Sequence, residues 1–139
     1  RWPGRFELLR RDPPFLLDGS HNAHGMRATV SSLRERFPGE KFVFLISIMA
    51  DKDWDQMLQL LLPLAKCFVT VTAPSPRAIP APDLAAQIQA MGGAAEPADT
   101  IPEGVARADA LAAGGPVAAL GTLYFSGDVR RALTFLEEK

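Results

Sequence analysis

Pro14-Phe15-Leu16-Leu17-Asp18-Gly19-Ser20-His21-Asn22-Ala23-His24-Gly25 is the stretch that decides the fold. Its apolar opening ends abruptly in polar and flexible residues, and an amphipathic pattern begins at Ala23. A buried strand, a tight turn and a helix N-terminus take this form in sequence. The turn gathers an aspartate, two glycines, the amide of Asn22 and both histidines of the chain. Open α/β sheets bind ligands where polar groups at the carboxyl end of a strand face a helix N-terminus.

Upstream of this turn, Arg5 to Arg10 alternates as a half-buried strand does, with Phe6 and Leu8 on one face. Arg11-Asp12-Pro13-Pro14 is a turn, because paired prolines cannot donate to a ladder. Phe15 to Asp18 then either returns as the second strand of a hairpin or merely neighbours the first. Downstream, Ala23, Met26, Val30 and Leu33 fall at helical spacing over 22–36, with Phe37 extending the stripe, and Pro38-Gly39 stops the helix.

Phe42 to Ile48 is apolar throughout but for Ser47, as a strand covered on both faces would be. Asp53 is placed to cap a second helix with Gln56 as its reciprocal partner, and Leu58, Leu61, Leu62 and Ala65 supply the buried face. Cys67 to Thr72 is a β-branched strand, and 73–82, with four prolines, is a loop. A helix over 83–91, a short edge strand at 94–96, a helix over 103–113, a strand at 116–120 and a helix over 127–136 follow. Strand and helix alternate with crossovers long enough for parallel connections. The expectation is one domain over 1–139, a Rossmann-like α/β three-layer sandwich. Its mostly parallel sheet has about six strands and an antiparallel N-terminal element.

The composition narrows the function classes. A length of 139 residues with 47% hydrophobic and 22% charged residues suits one globular core. A net charge of −1 argues against a general nucleic-acid or anionic-membrane surface, since both need a basic excess. No apolar run approaches the roughly 18 residues of a membrane helix. The single cysteine, Cys67, fits a reducing, cytoplasmic setting and reads as a buried, inert core residue. No G-x-x-x-x-G-K-[ST] phosphate loop is present. The sequence opens at Arg1 rather than Met and reads as a domain of a longer protein.

Three polar turns follow core strands: Asp18 to Asn22, Asp51 to Asp53 and Gly121 to Ser126. In a parallel sheet all three line one edge and one cleft. Their contents suit an anionic or zwitterionic ligand. Lys52 offers a point charge, Thr122 a hydroxyl, Gly121 a close backbone approach, and His21 an imidazole that can donate to an anion or shuttle a proton. Each also has a plainer reading. Asp18 and Asn22 can simply satisfy turn and helix amides, and Lys52 can be solvated. His21 and His24 with Asp18 look like metal ligands, but no cysteine or third histidine completes a set.

Order and spacing of four segments carry a resemblance. Trp2-Pro3-Gly4-Arg5-Phe6-Glu7 resembles W/P-G-R-x-E, and Asp18-Gly19-Ser20-His21-Asn22-Ala23-His24-Gly25 resembles D-G-A-H-N-P-H-G. Ala50-Asp51-Lys52-Asp53 matches A-D-K-D, and Gly121-Thr122-Leu123-Tyr124-Phe125-Ser126-Gly127 is similar to G-S-L-Y-L-x-G. Together they resemble the C-terminal domain of folylpolyglutamate synthase, including the bifunctional bacterial dihydrofolate synthase, of the Mur ligase superfamily. The resemblance implies an ATP-dependent ligase that joins L-glutamate to a folate or dihydropteroate carboxylate through an acyl phosphate. It further implies a preceding P-loop domain that holds Mg²⁺ and most of the folate site, leaving this domain inactive alone.

Residue by residue, the resemblance implies that Arg5 and Asp18 contact ATP, Asp18 at the ribose hydroxyls, and that Asn22 orients the turn on the ATP side. His21 would be catalytic and face the phosphoryl and glutamate side. Lys52 and Thr122, with His21, would hold glutamate. No residue is assigned to a metal. The choice between dihydropteroate and folate acceptors belongs to the missing domain. This sequence departs from the family pattern at Ser20 for alanine, Ala23 for proline and Thr122 for serine. Ser47-Ile48 stands where glycine is frequent, and the sequence alone supplies no physical reason for that change. The competing reading is a stand-alone nucleotide- or anion-binding module of the same fold.

Overall fold

The computed structural model describes residues 6–138. The run Trp2-Pro3-Gly4-Arg5 lies outside them. Strands β1 (Phe6–Arg10) and β2 (Phe15–Asp18) form the antiparallel hairpin, with Phe6 opposite Asp18. Of the two arrangements open from sequence, the hairpin is the one formed. Helix α1 (Ala23–Arg36), β3 (Phe42–Ile46), α2 (Trp54–Leu61), β4 (Ala65–Thr70), α3 (Ala81–Ala90), β5 (Ala95–Pro97), α4 (Ile101–Ala112), β6 (Val117–Leu120) and α5 (Ser126–Glu137) follow in order.

The sheet has six strands in the order β1-β2-β6-β3-β4-β5, all parallel except β1. The chain steps outward from β3 to β4 to β5. Helix α4 then carries it back, and β6 slots between β2 and β3. This reversal makes a topological switch point at β6, and it divides the helices between the two faces. Met26 and Leu33 of α1, Leu58 of α2 and Leu84 of α3 pack with Phe42, Phe44 and Phe68 on one side. Val105 and Ala108 of α4 and Val129 and Leu133 of α5 pack with Val43, Leu45 and Val69 on the other. Because β3 sends alternate residues into both cores, its run must be apolar at every position. Phe42 and Phe44 stack at 5.6 Å between centroids, and Phe44 meets Phe68 at 5.5 Å.

Several boundaries differ from expectation, each for a local reason. Asp53 makes no side-chain cap on α2, and no capping box with Gln56 forms. Its carboxylate instead accepts from the Ala23 N–H at 3.3 Å. Leu62 falls in a 3-10 turn, Leu62–Leu64, and Ala65 opens β4, so neither belongs to α2. The proline at 63 explains the early end, since it cannot donate within a helix. Helix α3 begins at Ala81 because Pro82 suits the first turn. Helix α4 starts at Ile101, since the Thr100 hydroxyl caps Glu103 N–H and also meets the Glu103 carboxylate. Cys67 is half-buried rather than buried, and that partial burial pushes its thiol pKa up. Among the described residues no helix is long and apolar enough to cross a membrane.

Candidate functional site

Because β2, β6 and β3 are parallel neighbours, their three following turns open on the same edge of the sheet. Direct bonds join them. Gly121 N–H donates to Ser20 O at 3.2 Å, and Ser47 N–H donates to Leu120 O at 3.4 Å. The backbone of Gly121 has φ +106°, and a Cβ there would stand 2.2 Å from Ser47 O. Only glycine permits the β6 turn to press so closely on β3. The Ser47 hydroxyl accepts from Ala73 N–H at 3.0 Å, tying the end of β3 to the loop after β4. This is the physical reason for the serine where glycine is frequent.

Asp18 closes β2 and is 1% exposed. Its Oδ2 accepts from Ser20 N–H and from the Thr29 hydroxyl, both at 2.9 Å. Oδ1 is buried and accepts from no described residue. Leaving a buried acceptor unmatched costs about 1–3 kcal/mol, more when charged, so the unpaired oxygen marks this carboxylate as more than a turn former. The Ser20 hydroxyl lies 2.5 Å from Thr29 Oγ1 and 3.2 Å from Gly25 O. Neither Ser20 nor Thr29 was singled out as a site residue from sequence, although one signal existed. Thr29 is a hydroxyl on the apolar inner face of α1, and such a group needs a buried partner.

Asn22 is the N-cap of α1, its side-chain oxygen accepting from Gly25 N–H at 2.8 Å. That leaves its amide nitrogen, 3.5 Å from His21 Nδ1, as the group facing the imidazole. In this contact the amide can only donate, so Nδ1 is the accepting atom. His21 is exposed, and so is His24 on the first turn of α1. Lys52 is half-buried; its backbone N–H donates to Met49 O. Thr122 is 1% exposed, and its hydroxyl accepts from Tyr124 N–H at 3.1 Å. The Asp53 bond to Ala23 N–H joins the Lys52 turn to the His21 turn.

Arg77 links two of these turns across the rim and was not foreseen. Its guanidinium pairs with Asp51 at 2.8 Å and donates to the Tyr124 hydroxyl at 3.0 Å, while its carbonyl accepts from Ala50 N–H at 2.7 Å. The structure therefore brings Asp18, His21, Asn22, Lys52 and Thr122 to one edge, whereas Arg5 lies outside the described residues. A cavity of about 490 Å³ lined by Thr72, Ile101, Arg131 and Phe135, among others, contains none of these residues.

Residues 4–122 match the family described as Mur ligase, glutamate ligase domain. The chain belongs to that family. This Mur ligase domain is 31% identical over 136 residues to the dihydrofolate synthase/folylpolyglutamate synthase of Bacillus subtilis, which covers 95% of this chain and 30% of the relative. It superimposes on a Mycobacterium tuberculosis folylpolyglutamate synthase complexed with ADP with a TM-score of 0.84 and 27% identity, over 94% of this chain and 32% of that one. A folylpolyglutamate synthase from Thermotoga maritima gives a TM-score of 0.75 at 26% identity, over 96% of this chain and 31% of that one. The Mur ligase domain thus spans about a third of the length of these relatives. The α/β fold expected from the alternation of strands and helices agrees with the sheet and with these structures.

Proposed function

We propose that this Mur ligase domain forms one wall of the active site of an ATP-dependent ligase adding L-glutamate to folate or dihydropteroate. The observation that carries the reading is the convergence of three polar turns at the switch point, with a buried carboxylate oxygen that no described residue pairs. ATP converts the acceptor carboxylate to an acyl phosphate, and the glutamate amine then attacks that carbonyl, expelling phosphate. Asp18 accepts from the ribose hydroxyls of ATP, because an acceptor-only oxygen pairs with donors. Arg5, by its place in the family motif, is assigned to the same nucleotide, and Asn22 sets the turn through its cap. His21, exposed on the turn, donates to the phosphoryl or glutamate oxygens. Lys52 and Thr122 serve the glutamate carboxylates, Lys52 by charge and Thr122 by shaping the β6 turn.

Mg²⁺ and the phosphate loop belong, in this proposal, to a preceding domain of the same chain. Among the described residues no three His, Cys, Asp or Glu side chains form a metal set. Support for the nucleotide comes from the relatives: the Mycobacterium structure is complexed with ADP. The experiment is steady-state kinetics on the full-length ligase. Asp18→Ala is expected to raise KM for ATP roughly tenfold, about the loss of one hydrogen bond to a charged group. His21→Ala is expected to lower kcat about a hundredfold, the lower range for a positioned proton donor. Unchanged constants in both variants would overturn the reading.

A further inference from the structure

We propose that Thr29 is a positioning residue, which with Ser20 fixes the Asp18 carboxylate so that one oxygen is held by the protein and the other is reserved for ligand. The inference rests on the nucleotide role assigned to Asp18 above and adds Thr29, which lies outside the four motif segments, and Ser20, which stands where the family pattern has alanine. The proton count gives the chain a direction. The Thr29 hydroxyl has one proton and gives it to Asp18 Oδ2 at 2.9 Å. At 2.5 Å from Ser20 Oγ it must then accept there, so Ser20 Oγ gives its single proton to Thr29 rather than to the more distant Gly25 O at 3.2 Å. Ser20 therefore feeds Thr29, Thr29 feeds the carboxylate, and Ser20 N–H completes Oδ2. A chain ending on a charge is strengthened along its length.

The consequence is a carboxylate with two unlike oxygens. Oδ2 is saturated by an amide and a hydroxyl, while Oδ1 is buried with no donor among the described residues. An acceptor-only oxygen held in this way attracts hydroxyls and repels phosphate oxygens. Thr29 lies on α1 and Ser20 in the β2 turn, so the helix, not the turn alone, sets the carboxylate rotamer. Valine at 29 would keep the volume and lose the hydroxyl. Asp18 would then be held on Oδ2 by one bond and be free to rotate.

The test is kinetic, on the full-length ligase, with ATP and 2′,3′-dideoxy-ATP as paired nucleotides. Thr29→Val is expected to raise KM for ATP roughly tenfold, with kcat changed by no more than about twofold. It should also shrink the preference for ATP over the dideoxy nucleotide. Thr29→Ser is expected to restore both values, because it keeps the hydroxyl. A purely structural Thr29 would lower the unfolding midpoint and leave the nucleotide preference intact, and that result overturns the proposal. Should Thr29→Val fail to fold, Ser20→Ala gives the same decision. It removes only the hydroxyl behind Thr29, and an unchanged preference there also overturns the proposal. Asp18→Asn separates the two levels. If it abolishes the preference while Thr29→Val retains it, only the positioning role falls. If Asp18→Asn leaves the preference unchanged, the nucleotide reading falls with it.

Discussion

At Gly121 two strand ends are pressed together so tightly that the residue type decides whether the site can exist. A Cβ at this position would stand 2.2 Å from the Ser47 carbonyl oxygen, which is backbone and has little room to retreat. The φ of +106° adds a second penalty for any other residue. Holding a Cβ-bearing residue in such a conformation costs about 1–3 kcal/mol, and overpacking adds about 1–3 kcal/mol. Gly121→Ala is therefore expected to lower stability by about 2–6 kcal/mol, read as a fall in urea midpoint at unchanged slope. A loss below about 0.5 kcal/mol, ordinary for an unconstrained surface position, would show that the β6 turn relaxes and that the contact is not needed. Ser47 answers Gly121 from the other side. Its carbonyl meets the glycine, and its hydroxyl holds the Ala73 amide at 3.0 Å, so one residue anchors β3 to both of its neighbours' loops.

Among the elements, α4 shows how local preference and tertiary packing oppose each other. Alanine in place of Gly104 would gain about 1 kcal/mol of helix propensity. A Cβ there, however, would lie 2.4 Å from Val71 Cγ1 and 3.1 Å from Leu45 Cδ1, both on fully buried side chains. The stiff, β-branched valine cannot swing away, and overpacking of about 1–3 kcal/mol wins. Gly104→Ala should destabilise the domain by up to about 2 kcal/mol in a urea titration, and a stabilised variant would refute the close docking of α4 on the sheet. The same opposition explains what was legible beforehand. Hydrophobic period and breakers revealed the strands and α-helices of the described residues, though not the 3-10 turn Leu62–Leu64, because the β3 run and the α1 stripe are set by burial alone. The Asp53 capping box failed because a carboxylate at a helix start has a second customer, the Ala23 amide, that lies thirty positions away in sequence. Ser20 and Thr29 escaped for a similar reason: a hydroxyl's partner across a turn has no periodic signature. The motif residues Asp18, His21, Lys52 and Thr122 were legible as a set, whereas the Arg77 link across the rim depends on a proline-rich loop whose path follows no pattern.

For the molecule as a whole, the question is how much of a nucleotide site one sheet edge can make. Both faces of the sheet are covered by helices of this same chain, so the domain has what it needs to fold as one cooperative unit. Its candidate site, by contrast, offers a carboxylate for hydroxyls, an exposed imidazole and one lysine, and the sequence holds no phosphate loop. The phosphates carry most of the charge of ATP, and a wall that lacks their cradle forfeits that attraction. A few polar contacts, after the loss of ligand freedom, leave a net of no more than about 4 kcal/mol, which corresponds to a millimolar Kd. The isolated 139 residues should therefore give a cooperative urea transition, bind ATP only in the millimolar range by titration calorimetry, and neither hydrolyse it nor ligate glutamate. Micromolar binding by the same folded domain would turn the assignment toward a self-sufficient nucleotide-binding module. The shared-cleft reading requires the opposite, because each half-site must be weak alone for closure of the two to create the dry, complete site in which an acyl phosphate survives.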